Sequence, residues 1–475
     1  MVESVIYGVK LSSVGPGRVT GQDVVQELNN MDLAMKLHYL RAVYYFRREA
    51  LEGLSVLNIK EPMFTWFNHF SATCGRFRRP HDSHSGGPGG RPFIKCNDCG
   101  ARFIEAHSPY TLDECLQPLL LNHLHDHSLH NLLVSNQVIG PEIQFSPPVL
   151  LQFTWFKCGG VAVGLSWAHV LGDAFSAADF MNALGRVMAG HQLPPRPVKA
   201  QPQPQSRAGI DISRCPSPPT DPLSVKRVGP VGDHWICPNH NNNTRAKMEA
   251  FSLHLTAAQM EQLQSKVGGG DRIPFFEALC AVIWKCVAKT RTRRKDGDVA
   301  EEPKVVTICK NSRGRRQNEN GGGGGGVVIL SNAQGIGVVK ADEDVSIAEA
   351  KPKQLAELLM MMIGEESLED ERSKIEEAME REGGLGDFVV YGANLTFVDL
   401  EEADLYGLEL KGQRPVYATY SIDGVGDQGA VLVLPGPQET GAGGGIGKGK
   451  GKVVTLIMPD TEVVDLKSDL LTELF

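Results

Sequence analysis

At 475 residues the chain is too long for one ordinary core, so two domains are expected. Its composition, 41% hydrophobic and 22% charged, is that of a soluble globular protein, and a formal charge of -8 argues against nucleic-acid binding. The ten Cys are scattered, which fits a reducing compartment; no run of about 18 apolar residues is long enough to span a membrane, and the N-terminus carries no signal-peptide core.

In chain order, Val5 to Lys10 reads as a strand that Gly15-Pro16-Gly17 breaks. Asp32 to Arg47 mixes helix and strand signals, and Phe64 to Cys74 reads as helix. His81 to Gly90 is a loop, and Pro92 to Ile104 reads as a hairpin turning at Asn97-Asp98. His123, His127 and His130 are spaced to share a helix face, with His125 between them; a metal site would need a carboxylate or Cys set, and Asp126 faces elsewhere, so the group is read as a polar surface. Leu151 to Cys158 and Val161 to Trp167 are β-prone runs joined by Gly159-Gly160, another hairpin. His169 follows, then Gly172 and Asp173, the latter where a helix N-cap is wanted; Ala177, Phe180, Met181, Leu184, Val187 and Met188 continue at helical spacing.

From residue 192 the composition changes: Leu193-Pro-Pro-Arg-Pro197, Gln201-Pro-Gln-Pro-Gln205 and later prolines mark residues 192–246 as an extended crossover. It would separate an N-terminal domain, 1–191, from a C-terminal domain, 247–475. Beyond it Phe251 to Leu255 alternates as a strand, Thr256 with Gln259 forms a capping-box pattern, and Pro274 opens a helix with Phe275, Leu279, Val282, Ile283, Cys286 and Val287 on its buried side. Two glycine-rich stretches, Gly321–Gly326 and Gly441–Lys452, precede expected strands Val327–Leu330 and Val453–Met458. Neither fits a phosphate-binding loop: Gly447-Lys448 has Ala442 where the first Gly is needed and Gly449 in place of Ser or Thr. Glu365 to Glu382 is an acidic helix.

The candidate chemistry centres on His169-x-x-x-Asp173. A neutral imidazole at a strand end could take a proton from an alcohol or amine attacking a thioester, help worth roughly 10²–10⁴-fold. Across the tight turn Asp173 points elsewhere, which suits a structural role. The competing reading is a buried histidine and an ordinary N-cap aspartate. Cys96-x-x-Cys99 has no matching second pair, so hairpin packing is preferred to metal or redox chemistry, and no metal is expected. Asn242-Asn-Thr244 and Asn394-Leu-Thr396 match glycosylation sequons that have no secretory signal to use them.

Gln152-Phe-Thr-Trp-Phe-Lys-Cys-Gly-Gly160, His169-Val-Leu-Gly-Asp173, Phe276-Glu-Ala-Leu279 with Trp284, and Asn311-Ser-Arg313-Gly-Arg315 with Ser331-Asn332 together resemble the BAHD acyl-CoA-dependent acyltransferases of plants, over essentially the whole chain. The resemblance implies an α/β protein of two chloramphenicol-acetyltransferase-like domains with a channel between them. It implies His169 as general base, Asp173 as structural, Arg313 as its ion-pair partner, and acyl-CoA as substrate or ligand with no other bound cofactor. The family's Asp-Phe-Gly-Trp-Gly motif keeps only its Asp, in Asp404-Leu-Tyr-Gly-Leu-Glu-Leu410, which counts against acyl turnover.

Val5-Ile-Tyr-Gly-Val-Lys-Leu-Ser-Ser-Val-Gly-Pro-Gly17, Phe93-Ile-Lys-Cys-Asn-Asp-Cys-Gly100 and the Asp404 segment are similar to the Eceriferum/Glossy wax branch. That likeness implies promotion of very-long-chain acyl-CoA elongation for cuticular wax, with a membrane-bound 3-ketoacyl-CoA synthase as partner. The expected protein is a monomer in the cytoplasm or peripheral on the cytosolic face of the endoplasmic reticulum. Two classes stay open: an accessory factor of the condensing enzyme, or a working acyltransferase that uses His169.

Overall fold

The structure, a computed structural model, describes residues 5–21, 23–80, 89–121, 124–194, 221–238, 247–270, 272–293, 302–313, 329–440 and 446–474. Two sheets organise it. The first has six strands in the order Tyr7–Val14, Ala101–Ser108, Val149–Phe156, Val161–Ala168, Tyr39–Phe46 and Tyr417–Asp423. Only Ala101–Ser108 and Val149–Phe156 run parallel. The second has seven, in the order Gly335–Lys340, Val305–Lys310, Leu395–Asp399, Ala430–Thr440, Ile446–Pro459, Met248–Leu255 and Leu124–Asp126.

The sheets do not respect a cut at 191 and 247. Tyr417–Asp423, from the second half, closes the first sheet against Tyr39–Phe46, and Leu124–Asp126, from the first half, adds to the second sheet beside Met248–Leu255. Each half therefore completes the other's sheet with one edge strand.

Two helix layers hold these sheets. Ala174–Met188 turns Ala177, Phe180, Met181, Leu184 and Val187 inward at helical spacing. It meets Val56–His69 through Trp66, whose ring centroid lies 4.1 Å from that of Phe180 and whose indole N–H donates to the Phe180 carbonyl at 3.0 Å. Trp167, from the sheet, completes the aromatic cluster 5.0 Å from Phe180. Under the second sheet Phe275–Arg293 buries Leu279, Ile283, Cys286 and Val287. The capping box at Thr256 is formed, with reciprocal bonds to Gln259, and opens the helix Ala257–Gly268.

Several expectations are corrected. Pro92–Ile104 is no hairpin: Phe93–Lys95 belongs to a small three-stranded sheet and Ala101–Ser108 to the six-stranded one. Asp98 (φ 54) and Gly100 (φ 84) take left-handed backbone, and the Asp98 carboxylate accepts from the Thr20 N–H and hydroxyl at 2.8 and 2.5 Å, so the turn carries the chain between sheets. The first strand is Tyr7–Val14, and the helix expected from Phe64 to Cys74 starts at Val56 and ends at His69.

The histidines read as a polar surface are interior: His125, His127 and His130 are buried where the exchanged strand Leu124–Asp126 enters the second sheet, and His127 Nε2 hydrogen-bonds Ser252 Oγ at 2.7 Å. His123 lies outside the described residues. Of the strand expected at Val327–Leu330, residues 327 and 328 lie outside the described residues and Ile329 and Leu330 are not in a strand; the next described strand is Gly335–Lys340, and the strand after the second glycine-rich stretch begins earlier, at Ile446. Gly321–Gly326, Asn242-Asn-Thr244 and residues 195–220 and 239–246 of the crossover lie outside the described residues. Among the described residues no helix is long and apolar enough to cross a membrane.

At the end of Leu395–Asp399 burial lifts the Asp399 carboxyl to about 6, with the Glu401 charge adding to the rise and Lys310 opposing it. A carboxyl raised in the folded state contributes stability below its unfolded pKa and loses it as pH rises through the folded one. Stability is therefore expected to fall from about pH 4 to about pH 6 by at most about 1.4 kcal/mol per pH unit on this account. Asp399→Asn is expected to be more stable than wild type at pH 7 and to lack that slope, as urea midpoints across the range would show.

Candidate functional site

The strand Val161–Ala168 runs straight into the site. Gly164, in its centre, lies so close to the Leu133 carbonyl that a methyl group has no room. The strand ends at Ala168, and His169–Leu171 makes one 3₁₀ turn. The His169 N–H donates to the His38 carbonyl at 3.0 Å, the Gly172 N–H donates to the His169 carbonyl at 3.0 Å, and the Trp167 indole donates to the Gly172 carbonyl at 2.8 Å. Gly172 has φ 147, and a Cβ there would stand 2.9 Å from the Ser331 nitrogen, so glycine is required for the turn that separates His169 from Asp173.

Asp173 caps the helix Ala174–Met188. Its Oδ1 accepts from the Ser176 N–H at 3.0 Å and from the Arg313 guanidinium at 2.5 Å, and its Oδ2 accepts from the Ala333 N–H at 2.9 Å. Arg313 also donates to Ser176 Oγ and to the Ser331 carbonyl, at 2.6 and 3.2 Å. Asp173 and Arg313 are thus brought together across the two halves, and three donors share the carboxylate, which is 1% exposed.

His169 itself is fully buried. Its Nε2 lies 3.0 Å from the Tyr391 hydroxyl, which is also bound by the Gln334 amide, Nε2 at 2.7 Å and Oε1 at 3.1 Å. Asn332 Nδ2 donates to the His169 carbonyl and to Asp32 Oδ1, both at 3.0 Å. His38 stacks edge-on to Tyr391, centroids 4.9 Å apart, and its Nε2 accepts from the Val390 N–H at 3.0 Å. Burial lowers the pKa of His169, with the Asp173 charge partly opposing it, and pushes His38 down to about 3. Both rings are neutral at pH 7, the state in which an imidazole can accept a proton. Here the atom that would accept it already faces a phenol.

A cleft of about 450 Å³ opens nearby, lined by Leu37, Tyr39, Arg41, Asn131, Asp423 and Lys247 among others. Leu37 and Tyr39 flank His38 in the chain, and His38, His169 and Tyr391 remain buried.

Tyr391, Gln334 and His38 were not singled out by the sequence. Each stands alone in its segment with no spacing signature; the one available signal was Tyr391-Gly392, a bulky polar residue before a turn glycine. Arg315 of the basic stretch lies outside the described residues. Asp404 binds Asn182, whose amide donates to its carbonyl at 3.0 Å and its Oδ2 at 3.3 Å, while Leu405, Leu408 and Leu410 fill the interior where the Gly-Trp-Gly was expected. Cys96 is buried and Cys99 exposed, and among the described residues no group of three or more His, Cys, Asp or Glu is placed to hold a metal ion.

Residues 13–457 match the family described as Transferase family. The chain is 36% identical to Protein ECERIFERUM 26 of Arabidopsis thaliana over 97% of this chain and 94% of that protein. It is 34% identical to Protein ECERIFERUM 2 of the same plant over 99% of each. Among solved structures it resembles Vinorine Synthase with a TM-score of 0.66 at 16% identity, covering 98% of both chains, a likeness of fold: the two-domain, chloramphenicol-acetyltransferase-like α/β architecture.

Proposed function

The chain belongs to the Transferase family, the BAHD-type acyltransferases, and from that premise we propose that it promotes very-long-chain fatty acyl-CoA elongation for cuticular wax, beside a 3-ketoacyl-CoA synthase. The observation that carries the accessory role is the enclosure of His169: fully buried, with Nε2 turned to Tyr391, the imidazole has no open face toward an incoming acceptor. The near-full-length likeness to two ECERIFERUM proteins supports the wax assignment. Asp173 and Arg313 then serve as a structural pair joining the halves. The ligand is an acyl-CoA, and the site of action is the cytosolic face of the endoplasmic reticulum, reached through contact with the membrane-bound partner.

A second reading, acyl transfer to an alcohol or amine with His169 as general base, has one observation in its favour. Burial keeps the imidazole neutral, as a base must be.

The proposal is tested by expressing a 3-ketoacyl-CoA synthase alone and together with this chain in a host whose own very-long-chain acyl-CoAs are short, then profiling acyl lengths. Longer chains only on co-expression are expected. Identical profiles, with both proteins present and folded, would refute the elongation role.

A further inference from the structure

The contact between His169 and Tyr391 is built, not incidental. The Tyr391 backbone is held by the Gly426 N–H, which donates to its carbonyl at 2.8 Å. Gly392, next in the chain, has φ +83, and a Cβ there would meet the Gly426 nitrogen at 2.5 Å; its own N–H donates to Thr396 Oγ1 at 3.1 Å. One residue earlier, the Val390 N–H donates to His38 Nε2. The segment Val390-Tyr391-Gly392 thus anchors one face of the site, and the Gln334 amide holds the phenol from the other side. Tyr391 is 1% exposed and Gln334 3%, so neither is a surface side chain that drifts across the imidazole.

We propose that Tyr391 is an internal stand-in for the acceptor: its hydroxyl occupies the position that a substrate alcohol would need at His169 Nε2, and it silences the base. The 3.0 Å spacing lies within the range, roughly 2.6–3.2 Å, at which a general base takes a proton. The phenol does not react in the acceptor's place. Burial holds its pKa well above the ordinary 10 and that of His169 below its ordinary value, so the proton stays on oxygen and the pair is a neutral hydrogen bond. This inference rests on the accessory reading and supplies its physical cause: the histidine is retained, and the place beside it is taken.

Removal of the phenol restores the chemistry. A small primary alcohol in that place gives its proton to His169 Nε2, and its oxygen bonds to the thioester carbonyl carbon. The C–S bond then breaks, and the departing coenzyme A thiolate takes the proton back from the imidazolium. The product is an oxygen ester and free coenzyme A.

The test uses the purified full chain, a long-chain acyl-CoA and a small primary alcohol, with release of free thiol as the readout. Wild type is expected to release thiol no faster than buffer. Tyr391→Ala is expected to release it on the order of 10²-fold faster, in keeping with general-base help. The rate should fall at acid pH as the imidazole protonates, and the Tyr391→Ala/His169→Ala pair should return to the wild-type rate. A folded Tyr391→Ala that is no faster than wild type, or whose gain survives loss of His169, overturns the proposal. If Tyr391→Ala does not fold, Tyr391→Phe keeps the ring and loses only the hydroxyl. Its His169 Nε2 nitrogen resonance is then expected to move from the wild-type position, and an unmoved resonance overturns the proposal equally. No condensing enzyme is present, so failure here is separate from failure of the elongation role.

Discussion

Asp173→Ala is expected to destabilise the protein by about 3–5 kcal/mol, the cost of breaking a buried ion pair from one side. The variant removes the N-cap of Ala174–Met188, the acceptor for the Ala333 N–H and the nearer, buried counter-charge of Arg313 in one step, leaving it only the half-exposed Asp179 at 3.7 Å. Arg313 is 18% exposed, so its guanidinium can recover only part of its hydration. Because Ser331 and Ala333 belong to the second half and His169 to the first, the loss should loosen the junction as well as the helix. Urea denaturation followed by tryptophan fluorescence measures it. Asp173→Asn keeps an N-cap acceptor and most of the volume and should lose less. Equal losses in the two variants would show that charge contributes little.

Asp387→Ala is expected to cost a similar amount, about 3–5 kcal/mol. Lys36 is 1% exposed, its Nζ lies 2.7 Å from Asp387 Oδ1, and the Gly386 carbonyl accepts from it at 2.8 Å. Burial lowers the Lys36 pKa, Asp387 opposes that shift, and the Arg79 charge adds to it. Without the carboxylate the ammonium is left buried against two neutral carbonyls, those of Gly386 and Leu385, and the Val231 N–H loses its acceptor, Asp387 Oδ2, at 2.9 Å. Lys36→Met combined with Asp387→Leu should recover much of the loss, since an apolar pair of similar volume removes both desolvation penalties. A double variant as unstable as Asp387→Ala would show that packing, not charge, governs the site.

The hairpin before His169, its turn and the helix behind Asp173 were legible because each rests on local chemistry: alternation, a Gly-Gly turn, an N-cap and three- and four-residue spacing. The capping box at Thr256 was legible for the same reason. Pro92–Ile104 misled because a turn signal at Asn97-Asp98 says that the chain reverses, not which sheet receives the next strand. His127 and His130 misled because helical spacing ignores strand exchange: Leu124–Asp126 joins a sheet more than a hundred residues away in sequence, and they are buried beside it, as is His125 within it. Tyr391 was illegible for the deepest reason. Its contact with His169 spans 222 residues and depends on Gly392, Gly426 and Gln334 together, none of which carries a local motif.

The accessory account stands or falls on His169. The most direct measurement is the acyl-chain profile of cells expressing the condensing enzyme with His169→Ala, set beside the wild-type chain at matched abundance. The account predicts that the variant lengthens acyl chains as wild type does, because Tyr391 already keeps the imidazole from acting as a base. Loss of lengthening by a folded, equally abundant His169→Ala protein would contradict it and make acyl transfer the mechanism.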